Sequence, residues 1–168
     1  MTQQRGTAVV TGAAQGIGRA VAKRLQADGY DVLALDVSVD GLAALAADTG
    51  MRTAVVDVAD PAATAAVAAM APECRVLVNN AAIQRYTDLM HTTVQEMTDL
   101  LHINVMGPVL MAQALVPVIE ANGGGSVINL SSITSVAPAI GTSLYPASKA
   151  AINHLTEAMA VEFAPKGI

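Results

Sequence analysis

Tyr145 and Lys149 stand four positions apart in the segment Tyr145-Pro146-Ala147-Ser148-Lys149. On a helix that spacing puts a phenol and an ammonium on one face, where the positive charge favours the phenolate beside it. An unperturbed tyrosine titrates at roughly 10, too high for ready proton exchange near neutrality, and a close cation is one of the few ways to lower it. The pair therefore reads as a general acid or base, Tyr145, with its activating cation, Lys149. By itself the same pattern is more often an ordinary tyrosine and a solvated lysine on a surface helix, so its meaning depends on what else the chain carries.

The second group of interest is a glycine loop, Thr11-Gly12-Ala13-Ala14-Gln15-Gly16-Ile17-Gly18, between a strand-like run and a helical one. Glycines at Gly12, Gly16 and Gly18 let the backbone turn tightly and approach a pyrophosphate, with Gln15 and Ile17 between them; the phosphates then meet the free N–H groups at the helix start. Eighteen residues beyond Gly18, Asp36 ends the second strand. A carboxylate there accepts hydrogen bonds from a ribose diol and repels a 2′-phosphate, which points to NAD and away from NADP. The alternative is that Asp36 only caps a loop. Asp57-Val58, after the third strand, is placed to meet an adenine ring, although Asp57 also suits a plain turn.

The elements that must hold these groups follow from the alternation of short β-branched runs with Ala-rich helical stretches, the pattern of βαβ units on a parallel sheet. Strands are predicted at Thr7–Thr11, Val32–Asp36, Thr53–Val56, Val76–Asn79 and Val127–Leu130, each with little alternation, as expected where helices cover both faces. Helices are predicted over Gln15–Asp28, stopped by Gly29, and from the Asp60-Pro61 cap through Ala71. A longer one, Thr93–Asn122, is interrupted at Gly107-Pro108, and the last runs from Ser143 to Phe163. No linker or repeat divides residues 1–168, so the reading is one α/β domain.

Composition narrows the partners. Hydrophobic residues make up 53% and aromatic ones 2% of the 168 residues, so the core must be built from aliphatic side chains. The net charge of −5, with no run of Lys or Arg, gives no footprint for nucleic acid or an anionic membrane. No signal segment or apolar stretch long enough to span a bilayer is read from the sequence. Cys74 is the single cysteine, which excludes an internal disulfide and makes the cytosol the default compartment. His91, His102 and His154 lack metal-ligand spacing, so no metal site is expected.

Taken together, Thr11-Gly12-x-x-x-Gly16-x-Gly18, Asp36, Asp57, Asn79-Asn80-Ala81-Ala82, Asn104, Ser131-Ser132 and Tyr145-x-x-x-Lys149 resemble the classical short-chain dehydrogenase/reductase family, from about Thr7 to Ile168. The resemblance implies a Rossmann-like doubly wound parallel sheet of order 3-2-1-4-5 and a catalytic tetrad. In it Tyr145 exchanges a proton with the substrate oxygen, and Ser132 hydrogen-bonds that oxygen, with Ser131 as a weaker substitute. Lys149 lowers the tyrosine pKa and binds the nicotinamide ribose, and Asn104 holds a water in the proton relay. Asn79 is expected to brace the sheet, with Asn80 and Ala81 lining the cofactor channel. Pro108 has no N–H for the carbonyl of Asn104, four residues earlier, so it is expected to open the helix and free that carbonyl for the water. Ala82 replaces the family's usual glycine; if that position needs positive φ, alanine costs about 1 kcal/mol there.

The activity implied is NAD-dependent hydride transfer between nicotinamide and a small secondary alcohol or ketone. A 3-oxoacyl thioester reductase, usually NADP-linked, is the alternative within the family, and Asp36 argues against it. The family normally continues past Lys166-Gly167-Ile168 into a sixth strand, a substrate loop and a seventh strand. The fifth strand is therefore expected to form an open edge, and a cofactor-binding fragment or interaction module without turnover is the alternative from a different class. Family members commonly pair as homo-oligomers through the helices corresponding to 93–122 and 143–163.

Overall fold

The structure, a computed structural model, describes residues 5–137, 140–141 and 143–168. Five parallel strands form one sheet in the order β3-β2-β1-β4-β5, the expected topology: β1 Thr7–Thr11, β2 Asp31–Asp36, β3 Arg52–Val55, β4 Cys74–Asn79 and β5 Ser126–Asn129. β2 and β4 start one and two residues earlier than predicted, while β3 and β5 are displaced by one residue towards the N-terminus. The register of the central pair runs from Thr7 opposite Asp31 to Thr11 opposite Leu35. Because side chains alternate, Ala8 and Val10 of β1 enter one core layer and Val9 the other.

Helices α1, Gly16–Ala27, and α2, Val39–Thr49, cover the first layer through Ala22, Leu42 and Leu45. On the opposite face α3, Pro61–Met70, and α5, Gly107–Ala121, contribute Val67, Met111, Leu115 and Ile119. Helix α2 is absent from the predicted elements, though its signals are in the sequence. Ser38 caps it by accepting the Gly41 N–H at 3.2 Å, and Gly50 ends it in the left-handed conformation at φ +70°. Asp60 caps α3 through the N–H groups of Ala62 and Ala63, and Pro61 takes the first position, as the sequence predicts.

The long helix is interrupted as predicted, though by a wider turn and not a break. Val94–Leu101 (α4) passes through a π turn over His102–Met106 directly into α5, with the Gly107 N–H bonded to the His102 carbonyl five residues back. The sequence reading finds no apolar stretch long enough to span a bilayer, and the continuous helix corrects that. Val94–Ala121 is 28 helical residues with a window of mean hydropathy 1.5, long and apolar enough by length and composition to cross a bilayer. Its α5 part instead packs on β4 and α3 through Met111, Leu115 and Ile119, while α4 meets α6. Helix α6, Leu144–Phe163, lies against α5 and β5, with Met159 and Phe163 beside Ala112, Val116 and Val127. β5 is the sheet's edge, and Ile128, in register with Val78 on the α1 and α2 face, is 47% exposed.

Candidate active site

All the residues singled out for chemistry sit at the C-terminal ends of the strands, the end where open parallel sheets bind ligands. A wide recess of about 1130 Å3, lined by Arg5, Tyr30, Arg75 and Asn122 among others, lies at the opposite, N-terminal ends and is unrelated to this chemistry.

The glycine loop leaves β1 and reaches α1 under close constraint. A Cβ on Gly18 would stand 2.1 Å from the Gly12 carbonyl oxygen, and one on Gly12 would stand 2.9 Å from Ala81 Cα. Gly16, at φ +55°, faces open space, and Ile17 beside it is 64% exposed. Gln15 takes the N-cap position of α1 without a side-chain capping bond. Asn80 is the loop's anchor: its Nδ2 donates to the carbonyls of Thr11 and Gly12 at 3.0 and 3.1 Å. Thr11, the first residue of the glycine motif, completes the anchor. Its buried hydroxyl accepts the N–H groups of both Asn80 and Ala81 at 3.0 Å.

Asp36 is fixed at the edge of this loop. One carboxylate oxygen accepts the Ala14 N–H at 2.9 Å and the other the Ser38 N–H at 3.0 Å. Each oxygen offers about two lone-pair sites, so one on each remains for a further donor. Asp57 is exposed and does perform the turn role, accepting the Ala59 N–H at 2.9 Å. Val58 is buried against Gly107, where a Cβ would meet Val58 Cγ2 at 2.8 Å, so only its main chain is left for a ligand. No described residue other than glycine has positive φ, so the cost foreseen at Ala82 does not arise.

Around the Tyr145 and Lys149 pair the tertiary structure adds what the helix alone does not specify. Lys149 is buried, with Nζ donating to the Leu130 carbonyl at 2.7 Å and standing 5.8 Å from the centre of the Tyr145 ring. Ser131 donates to the Lys149 carbonyl at 3.1 Å, which engages its hydroxyl in holding α6 against the end of β5. Ser132 is left with its Oγ beside Thr134, whose N–H it accepts at 3.2 Å. Asn79 braces the sheet as expected, donating to its register partner Asn129 at 2.8 Å, and Asn129 donates in turn to Thr156 of α6 at 3.0 Å.

Asn104 is 1% exposed, and its side chain is fully engaged. It exchanges hydrogen bonds with the Ile83 backbone at 2.8 and 2.9 Å and donates to Ser148 Oγ at 3.1 Å. Ser148 passes the contact to the Tyr145 carbonyl at 2.7 Å. The Asn104 main chain lies within the π turn, where Pro108 has no N–H to offer the carbonyl four residues back. Ser148, which the motif spacing passes over, thus joins the π turn to α6.

Burial holds the Lys149 ammonium below its ordinary 10.5, because desolvation disfavours the charge. Between the lowered folded value and 10.5 the unfolded chain binds more protons at this site, so unfolding free energy rises with pH across that window. Below the window the full cost of the buried cation is carried. Lys149→Met is expected to remove this rise; urea unfolding at a series of alkaline pH values measures it, and an unchanged slope would refute the assignment. Cys74 offers no second nucleophile, since burial pushes its thiol up to about 11.

A Rossmann-like sheet with a glycine loop at its first turn and a polar cluster at its fourth and fifth strands defines the class of protein. The family model for short chain dehydrogenases matches residues 6–168. The 2-(R)-hydroxypropyl-CoM dehydrogenase of Xanthobacter autotrophicus is 37% identical over 175 aligned residues, covering 96% of this chain and 70% of that protein. The D-threitol dehydrogenase of Mycolicibacterium smegmatis is 34% identical over 96% of this chain and 65% of its own length. A solved short-chain dehydrogenase from Streptomyces avermitilis superposes with a TM-score of 0.92 at 35% identity, over 99% of this chain and 64% of that one. The chain belongs to the short-chain dehydrogenase/reductase family, whose members are oxidoreductases using a nicotinamide cofactor. It spans about two thirds of the length of the curated relatives it matches.

Proposed function

We propose that this chain carries the cofactor and proton-transfer site of an NAD-dependent oxidoreductase acting between a secondary alcohol and a ketone. The observation that carries the reading is the buried Lys149 cation, hydrogen-bonded to the Leu130 carbonyl beneath the Tyr145 ring. A cation is costly to bury, and here it lies where it favours a phenolate. Tyr145 gives a proton to, or takes one from, the substrate oxygen, and Ser132 donates a hydrogen bond to that oxygen. Lys149 stabilises the phenolate, and the Asn104 carbonyl holds the water that links the site to solvent. A bound nicotinamide supplies or accepts the hydride.

The loop accords with such a cofactor: Gly12 and Gly18 allow a close approach that a Cβ would block, Gly16 opens to free space, Gln15 and Ile17 offer their backbone between them, and Asn80 with Ala81 walls the channel. Lys149 also reaches the nicotinamide ribose in this reading, while Asp57 and the Val58 main chain meet the adenine. The preference for NAD rests on Asp36, whose two remaining lone-pair sites suit a ribose diol and oppose a 2′-phosphate. The same charge argues against a 3-oxoacyl thioester reductase using NADP. Pairing of copies through α4–α5 and α6 in the cytosol accords with Val94, Leu101 and Val161 standing exposed on those helices. A cofactor-binding module without turnover is the second reading, favoured by β5 as an open edge with Ile128 uncovered.

Fluorescence titration should give an affinity for NADH at least about tenfold above that for NADPH, a difference of about 1.4 kcal/mol. Asp36→Ala should bring the two near parity. Equal affinities in the unaltered chain would remove the NAD assignment, and failure to bind either would remove both readings. Binding with no turnover of any secondary alcohol or ketone would favour the module.

A further inference from the structure

The Ser132 hydroxyl has one hydrogen and two lone pairs, and its neighbours decide where the hydrogen goes. The Thr134 N–H occupies one lone pair at 3.2 Å, with Ser132 capping the 3₁₀ turn Ile133–Ser135. Thr134 Oγ1 lies 2.9 Å from the same Ser132 oxygen. If Ser132 is the donor in this contact, its only hydrogen is turned into the turn and is withdrawn from a substrate. If Thr134 is the donor, both lone pairs of Ser132 Oγ are filled and its hydrogen must point elsewhere. Among the described residues the Thr134 hydroxyl makes this contact alone, so either direction leaves one hydrogen over; donation by Thr134 leaves it on Ser132, where the substrate oxygen of the proposed function accepts it.

We infer that Thr134 is a positioning residue that makes Ser132 an obligate hydrogen-bond donor to the substrate oxygen. The inference rests on the reading of Ser132 given above. An oxygen that accepts two hydrogen bonds is polarised and donates more strongly, so Thr134 orients the Ser132 hydrogen and strengthens its bond. The rest of Ser132 is held independently: Ser135 Oγ donates to the Ser132 carbonyl at 2.6 Å, and Asn153 Nδ2 donates to Ser135 Oγ at 2.9 Å. Asn153 lies on α6 one helical turn beyond Lys149, on the face that carries Tyr145. The helix bearing the proton donor thereby fixes the loop bearing Ser132, and Thr134 sets only the direction of the hydroxyl.

Thr134→Val keeps the shape and removes the hydroxyl, while Thr134→Ser restores it. With NADH and 2-butanone as the probe, Thr134→Val in the full chain is expected to lower kcat about 5- to 20-fold, with KM little changed, as for a lost transition-state interaction. Thr134→Ser is expected to recover most of that loss. A Thr134→Val variant as active as the parent, or more active, would overturn the inference, since it would mean that Thr134 had been absorbing the Ser132 hydrogen. A crystal structure of each variant gives a readout independent of turnover. Ser132 is expected in a single rotamer in the parent and in Thr134→Ser, and in more than one in Thr134→Val. A single unchanged rotamer in Thr134→Val would overturn the inference even if the parent did not turn over 2-butanone, an outcome that by itself would count against the functional reading.

Discussion

Replacing Tyr145 by phenylalanine is expected to lower hydride transfer between NADH and a ketone by ~10²–10⁴-fold, the usual contribution of a positioned acid or base. The substitution keeps the ring over the Lys149 cation, at 5.8 Å, and removes only the exchangeable proton. Lys149 does not readily take over the role, because its ammonium donates to the Leu130 carbonyl inside the fold. The backbone junction through Ser148 and Asn104 does not involve the phenol, so it survives the change. NADH binding is therefore expected to stay within about twofold while turnover collapses, the pattern of a lost transition-state interaction. The discriminating measurement is the pH dependence of turnover. A profile in Tyr145→Phe with the parent's shape and height would remove Tyr145 from the reaction.

The largest effect on cofactor binding is expected from Gly18→Ala. The new methyl would stand 2.1 Å from the Gly12 carbonyl oxygen and 2.5 Å from Asn80 Nδ2. Neither can retreat freely, because Asn80 Nδ2 is bonded to the carbonyls of Thr11 and Gly12. Relief requires α1 to move away from β1 or the loop to open, at about 1–3 kcal/mol for overpacking of this kind. Since 1.4 kcal/mol is a factor of ten, NADH affinity should fall about 5- to 150-fold, with a lowered melting temperature. Gly16→Ala provides the contrast. Its methyl meets nothing within 4 Å, so only the strain of φ +55° remains, about 1–2 kcal/mol. Titration of both variants tests the difference, and equal loss of affinity would show that the approach of α1 to Gly12 is not what forms the cradle.

Much of this architecture was legible because each signal is local. Strand β1 was found at its true limits, and Asp60-Pro61 marked the start of α3, because caps and short apolar runs act within a few residues. Helix α2 escaped although Ser38 and Gly50 bracket it. The π turn escaped for a different reason. Gly107 and Pro108 show that the α-helical ladder is disturbed, but whether the chain stops or widens to the His102 carbonyl depends on how α4 and α5 pack. The membrane-length stretch through α4 and α5 is likewise settled only by what covers it.

What the sequence by itself determined is the set of chemical groups and their order: the glycine loop, Asp36, and a phenol one helical turn from an ammonium. Those follow from residue type and spacing, which a single chain segment contains. Only the tertiary structure decided which groups are already engaged. It buried Lys149 and bonded it to Leu130, tied Ser131 to the Lys149 carbonyl, closed the Asn104 side chain on Ile83 and Ser148, and set Thr134 against Ser132. All of these contacts but the last join residues far apart in the chain, and a hydrogen bond's partner is fixed by folding, since donors and acceptors of one kind are interchangeable until the sheet and helices bring a particular pair together.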